Sequence, residues 1–309
     1  MFRSPVSRHP LLWGTVVALC AALGGQGLMS APVAAEPSAS ARVQAAPAPV
    51  SGYRYVERVS AFNSTSARSA VAPCPSGKVV LAGGARIEFG GRSVLLRGSY
   101  PVHSPFGDRW IASAEEFGNP LTGWRVRAYA VCANRPAGLT YHQAPAVFTS
   151  SSPKSVQRHD CPAGTRLIGL GARVSGADNR VGLNAITITP GLSASARASE
   201  ASATPQRWAL MSHVVCAGPL TLAFRQTSQW ISPGSSPSAT AIANCPQGTR
   251  AFGTGVLLAG SSAALNRLVP VALYPAPTPT PPHGTATVSE LVPGTPLPWA
   301  LKAQVICAR

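Results

Sequence analysis

The chain has 309 residues, 26 of them Lys or Arg against 10 Asp or Glu, and it carries 29 Gly and 30 Pro. That density of Gly and Pro excludes a helical protein, because helix interiors tolerate neither. A formal net charge of +16 draws polyanions, and ten carboxylates leave little for reactions that depend on paired acids.

The first expected element is a secretory signal over residues 1–35. Arg3, Arg8 and His9 give a basic start, "LLWGTVVALCAAL" an apolar stretch, and Val33-Ala34-Ala35 a small-residue cleavage site before Glu36. Thirteen apolar residues fall short of the ~20 needed to span a bilayer, so no stable membrane insertion is expected and Cys20 leaves with the signal. Residues 36–51, rich in Ala, Pro and Ser, read as a disordered linker.

From there the chain repeats itself three times, over residues 52–137, 138–219 and 220–309. Each copy contains C-P-x-G, at Cys74, Cys161 or Cys245, and each has a Gly ten residues on, at Gly84, Gly171 and Gly255. An X-Pro follows at Pro101, Pro190 and Pro275. A Glu then precedes a W-x7-C-A phrase: Glu115 or Glu116 before Trp124, Glu200 before Trp208, and Glu290 before Trp299. Similarity at a fixed period marks tandem copies of one supersecondary unit.

In the first copy the apolar runs "YRYVERVS", "KVVLAGGARI", "SVLLRGSY", "RWIASAEEF" and "WRVRAYAVCA" predict strands. "TRLIGLGARV" and "LNAITIT" are counterparts in the second. About five or six strands per copy and no helical periodicity make the protein all-β. The Trp phrase alternates with period two. Trp124, Val126, Ala128, Ala130 and Cys132 share an inward face, as do the residues from Trp208 to Cys216 and from Trp299 to Cys307, so Trp124, Trp208 and Trp299 are expected in the core. The opposite face is mixed, which predicts a half-buried strand.

Six cysteines remain after the signal, an even number in an exported chain. One bond inside each copy, Cys74–Cys132, Cys161–Cys216 and Cys245–Cys307, is the pattern that treats the copies alike. Each would contribute up to roughly 4 kcal/mol in the chain-entropy model. No CxxC pair exists and the histidines sit at no ligand spacing, so no metal or other cofactor is expected. The copies abut without linkers, which favours one pseudo-threefold body. Three packed β-sandwich modules are the alternative.

The combination of C-P-x-G, a Gly ten residues on and W-x7-C-A resembles a repeat of exported and surface-associated bacterial proteins with no assigned activity. "CPAG" and "GADNRVGLNAITI" in the second copy, echoed by "GSSAALNRLVPVAL" in the third, are similar to the vitelline membrane outer layer protein family. That resemblance implies a β-prism of three Greek-key sheets. "GGRSVLLRGSY" in the first copy departs from it by lacking the Leu-Asn pair, and these units are longer.

Chemistry is sparse. There is no G-x-S-x-G elbow, HExxH, Walker loop or dinucleotide fingerprint, so no catalytic residue is assigned. Ser151-Ser152-Pro153-Lys154 fits S-x-x-K without its partner motifs, and the histidines occupy no common repeat position. The repeated acids Glu115, Glu116, Glu200 and Glu290 admit two roles: pairing with Arg such as Arg86 or Arg173, or a ligand contact. Asp178 and Asn179, in one of three recurring glycine loops, join them as candidate ligand-binding residues. Losing the signal leaves 24 basic against 10 acidic residues, a net of +14. The expected function is that of a secreted, extracellular or wall-associated, non-catalytic protein binding anionic cell-wall polymer or polysaccharide by weak charge-driven contacts. A lectin with up to three related sites is the alternative, and an inhibitor of an exogenous enzyme is the third reading. Nucleic acid is not an expected partner, because no Arg cluster interleaves with aromatics.

Overall fold

A computed structural model describes residues 48–309, apart from 119–121, 145–146, 150–152, 190–192, 222–223, 235 and 279. The signal, nearly all of the linker, the Ser151-Ser152 pair and Pro190 lie outside the described residues.

The protein is all-β and held by three disulfides. The first copy supplies β1 (Arg54–Val59), β2 (Ala67–Pro73), β3 (Val79–Glu88), β4 (Val94–Val102), β5 (Arg109–Glu116) and β6 (Arg125–Ala133). The second supplies β7 (Thr140–Gln143), β8 (Val147–Thr149), β9 (Lys154–His159), β10 (Arg166–Gly176), β11 (Val181–Thr189), β12 (Ser193–Glu200) and β13 (Trp208–Ala217). The third supplies β14 (Phe224–Thr227), β15 (Ser238–Asn244), β16 (Arg250–Gly260), β17 (Leu268–Ala276), β18 (His283–Glu290) and β19 (Trp299–Ala308). Among the described residues helix is confined to α1 (Ser262–Leu265), capped by Ser261, whose Oγ accepts from Ala264 N, and a 3-10 turn at Asp178–Arg180.

The strand expected at "WRVRAYAVCA" is β6, and Cys132 at its far end bonds Cys74. Cys161–Cys216 and Cys245–Cys307 are joined likewise. β2 has no counterpart among the runs read from sequence. Its small residues Ala70 and Ala72 face inward while Ser69, Val71 and Pro73 face solvent, an alternation too weak in apolar bulk to register.

Strand pairing crosses the copy boundaries. One sheet runs β1-β6-β3-β17-β18-β15 and another β2-β5-β4-β10-β13-β7. The first joint is made by Ala272↔Arg86 and Leu273↔Ala85, the second by Ala172↔Ser99 and Arg173↔Gly98. The remaining strands form β14-β19-β16 and β11-β12-β9. β16 packs against β11, and side chains make that joint: Thr187 Oγ1 donates to Val256 O at 2.8 Å, and Gln304 bonds both backbone groups of Ile188. Separate sandwich modules would not share sheets in this way.

The recurring glycines stand at these joints. A Cβ on Gly84 would collide with the carbonyl oxygen of Leu273, and one on Gly171 with that of Ser99. β3, β10 and β16 touch one another at the centre, where Leu81, Ile168 and Phe252 are fully buried. Trp124, Trp208 and Trp299 are buried around them.

Two expectations need correction. The face of each Trp strand opposite the Trp is half-buried as expected only beside the Trp, where Arg125, Arg127, Met211 and Lys302 are partly exposed. Farther along it is closed, with Tyr129, His213 and Gln304 at most 3% exposed. Neighbouring strands' side chains cover it. Residues 48–51 are also not free linker. Ala48 bridges Leu220, Val50 N donates to Arg309 O at 2.7 Å, and Val50 is buried, because the backbone finds partners in the third copy that composition does not reveal.

Candidate functional site

The repeated acids end β5, β12 and β18, and they serve the Trp residues. Trp124 Nε1 donates to Glu116 Oε1 at 2.7 Å, Trp208 Nε1 to Glu200 Oε1 at 3.1 Å, and Trp299 Nε1 to Glu290 Oε1 at 2.8 Å. A buried indole N–H requires an acceptor, and the carboxylate at the neighbouring strand's end is within reach. The second oxygens of Glu200 and Glu290 accept from Thr204 N and Thr295 N, both at 3.1 Å. The expected pairing of these acids with Arg86 or Arg173 does not occur. Arg86 lies 3.8 Å from Glu88, and Arg173 faces Met211 Sδ and the Tyr100 ring. Arg92 does approach Glu290, at 3.7 Å.

Glu115 is not the counterpart of Glu200. It lies 3.5 Å from Arg97 and shares a shallow cleft of about 330 Å³ with Arg68 and Arg97. Asp178 and Asn179 belong to the turn before β11. The candidate acids therefore stand at separate strand ends and do not converge on one ligand. Cations cover two of the Trp rings: Arg68 sits 5.1 Å from the Trp124 ring centre and Lys154 Nζ 3.4 Å from that of Trp208. Burial pushes the Lys154 ammonium down, and the Glu200 carboxylate opposes that shift.

Acids elsewhere are also engaged. Burial alone would raise the Glu88 carboxyl, but hydrogen bonds from Arg127 and Arg125, at 3.0 and 2.5 Å, hold it below its ordinary value. The surplus of cations gathers at the disulfide end. Arg54 is in register with Cys132, Arg166 with Ala217, and Arg250 with Ala308, next to Arg309. Lys78 Nζ donates to Asn134 Oδ1 at 2.5 Å, with Arg135 following. The segment 48–53 ties this end together, because Tyr53 OH donates to Ala251 O at 3.0 Å and Arg250 lies 4.7 Å over the Tyr53 ring. Arg54, Arg135, Arg166, Arg250 and Arg309 are exposed, and among the described residues none of them forms an ion pair. Against them stand exposed Asp160 and buried Asp108, whose Oδ2 accepts from Val80 N at 2.9 Å.

The joints also carry concave sites that the sequence does not disclose. Where β4 meets β10 a cleft of about 230 Å³ gathers Tyr100, His103, Tyr141, His142, Arg173 and His213. Tyr100 stacks on His213 with ring centres 5.1 Å apart, and His103 on Tyr141 at 4.5 Å. His103 Nδ1 is 2.6 Å from Asp108 Oδ1, and the Tyr141 hydroxyl is 2.8 Å from Asp108 Oδ2. Burial first, then the hydrogen bond to Asp108, pushes the Tyr141 hydroxyl far above its ordinary value, so it stays protonated. At the β3–β17 joint Tyr129 stacks on Tyr274 at 4.4 Å and on Tyr55 at 5.8 Å, beside Arg86, Glu57 and Arg127, in a cleft of about 290 Å³. The histidines occupy unrelated positions within their copies, so periodicity had no means of finding them. The available signal was Tyr before Pro in β4 and β17, beside a ring five residues after Trp124 or Trp208.

No protein-family model matches the chain, and no curated protein shows significant similarity to it. Among the described residues no group of three or more His, Cys, Asp or Glu is placed to hold a metal, and no helix is long and apolar enough to cross a membrane.

Proposed function

We propose that the protein is an exported, non-catalytic, pseudo-threefold β-prism that attaches to anionic polymers of the cell envelope or matrix through its basic disulfide end. The observation that carries this reading is the set of Arg54, Arg135, Arg166, Arg250 and Arg309, exposed together without ion-pair partners among the described residues. Three intrachain disulfides support export, since such bonds persist in oxidising compartments. The strand joints β3–β17, β10–β4 and β16–β11, each between different copies, support the prism.

Contacts of this kind are weak singly and additive over a polymer. Attraction between exposed charges is screened within about 8 Å at physiological ionic strength, so attachment is salt-sensitive. The test is retention of the secreted protein on an acidic polysaccharide column across a salt series. It is run beside R54Q/R250Q/R309Q and a control, R180Q/R207Q, drawn from the Trp end. The disulfide-end variant is expected to elute at much lower salt than the control. Equal elution of both variants, or no retention of the unaltered protein at low salt, would refute the assignment.

A further inference from the structure

We propose that the β4–β10 cleft is a separate binding site for a single sugar residue bearing a carboxylate. It goes beyond attachment through the basic end, because it depends on local hydrogen bonds and stacking and involves none of the disulfide-end cations. His213 is 3% exposed, yet its Nε2 has no hydrogen-bond partner. Arg173 Nε is also buried and unpartnered. A buried polar group left unsatisfied is unfavourable, and both line the same cleft.

The third copy shows that the fold can satisfy this position internally. Gln304 stands five residues after Trp299, as His213 does after Trp208, and its amide is used up on Ile188: Ile188 N donates to Oε1 at 2.8 Å and Nε2 donates to Ile188 O at 2.7 Å. His213 makes no such closure among the described residues.

The chemistry of the lining selects that partner. Arg173 meets only Met211 Sδ, at 3.5 Å, and the Tyr100 ring, at 5.4 Å, so a guanidinium suited to carboxylate faces the cleft without an acidic partner among the described residues. Tyr100, Tyr141 and His103 offer ring surfaces for the apolar face of a sugar. Gln143 at the rim, with His213 on the floor, offers groups for hydroxyls. A volume of about 230 Å³ fits one ring rather than a drug-sized ligand, for which roughly 300 Å³ is a lower bound. His103 at the mouth is half-exposed.

The test is calorimetric titration of the intact secreted chain with a galacturonic acid trisaccharide and with a neutral galactose trisaccharide. Both are measured near physiological salt and at several-fold higher salt, with His213 imidazole resonances followed by NMR in parallel. The uronate is expected to bind at one site and to retain most of its affinity at high salt. The neutral sugar should bind at least about tenfold more weakly, R173Q should lose about tenfold or more, and R180Q/R207Q should bind as the unaltered chain does. Saturation should move the His213 signals. R173Q and the His213 signals of the unaltered chain decide without a variant at His213 itself. Absence of saturable binding, undiminished binding by R173Q, or unmoved His213 signals at saturation would overturn the proposal. Loss of binding in R54Q/R250Q/R309Q alone would assign the uronate to the basic end instead.

Discussion

The β4–β10 and β11–β16 joints use corresponding positions and close differently. At the first, backbone pairs with backbone through Ala172↔Ser99, and the ring of His213 lies against Tyr100 with a cleft beside it. At the second, Gln304 supplies both a donor and an acceptor to Ile188, and Arg225 Nη1 adds a bond to Ile188 O at 2.9 Å. An amide can stand in for a strand partner, whereas an imidazole cannot. One substitution at a buried position therefore separates a joint that is complete in itself from one with binding capacity left over.

The largest effect should come from the glycines that let the backbone joints close. G84A and G171A drive a Cβ into the carbonyl oxygens of Leu273 and Ser99, neither of which can retreat without opening its sheet. Each should cost at least about 4 kcal/mol in urea unfolding with the disulfides intact, or prevent folding. G255A meets the Gln304 Oε1 at 2.8 Å and the Ile186 carbonyl oxygen at 3.1 Å, looser contacts than those at Gly84 and Gly171, and at the cost of the Gln304 clamp should lose about 2 kcal/mol. Equal penalties at all three positions would erase the distinction between the joints.

Next in size is Q304A, which strands the N–H of Ile188 and leaves its C=O to Arg225 alone, and should cost about 2 kcal/mol by the same measurement. A loss below about 1 kcal/mol would mean that β16 and β11 hold together without the clamp.

How far the sequence revealed this architecture depends on the range of the interaction. Trp208 and Cys216 lie on one strand, so alternation alone places both inward, and spacing pairs Cys216 with Cys161. The Gly at a fixed distance from each Cys was visible, but its purpose was not, because Gly171 is required by Ser99, in another copy. Recurrence marks Glu200 in the sequence, and an acid's charge suggests an Arg partner or a ligand contact. Its partner is the indole N–H of Trp208, which no charge count weighs. His103, His142 and His213 meet only after β4, β7 and β13 join one sheet, and that event has no periodic trace in the chain.

Acid offers a smaller and more selective perturbation. Burial, reinforced by the Arg173 charge, lowers the His213 pKa to about 4, so the folded chain keeps this ring neutral where the unfolded chain would protonate it. Stability from this residue is present above the ordinary histidine range and is lost as pH falls from about 6.5 toward 4, reaching about 2 kcal/mol by pH 5. The facing groups are Arg173 on β10, Tyr100 on β4, and His142 and Gln143 on β7. H213Q should flatten the stability profile between pH 7 and 5, measured by denaturant midpoints. An unchanged slope would place the acid sensitivity elsewhere.

The most direct measurement of the two-site account is a backbone and side-chain NMR map of the secreted chain during titration with oligogalacturonate at low and at high salt. At low salt, shifts are predicted around Arg54, Arg250 and Arg309 and around Arg173 and His213. At high salt only the cleft signals should persist, with nothing at Gln304. Shifts that vanish everywhere at high salt, or that persist at Gln304 as strongly as at His213, would contradict it.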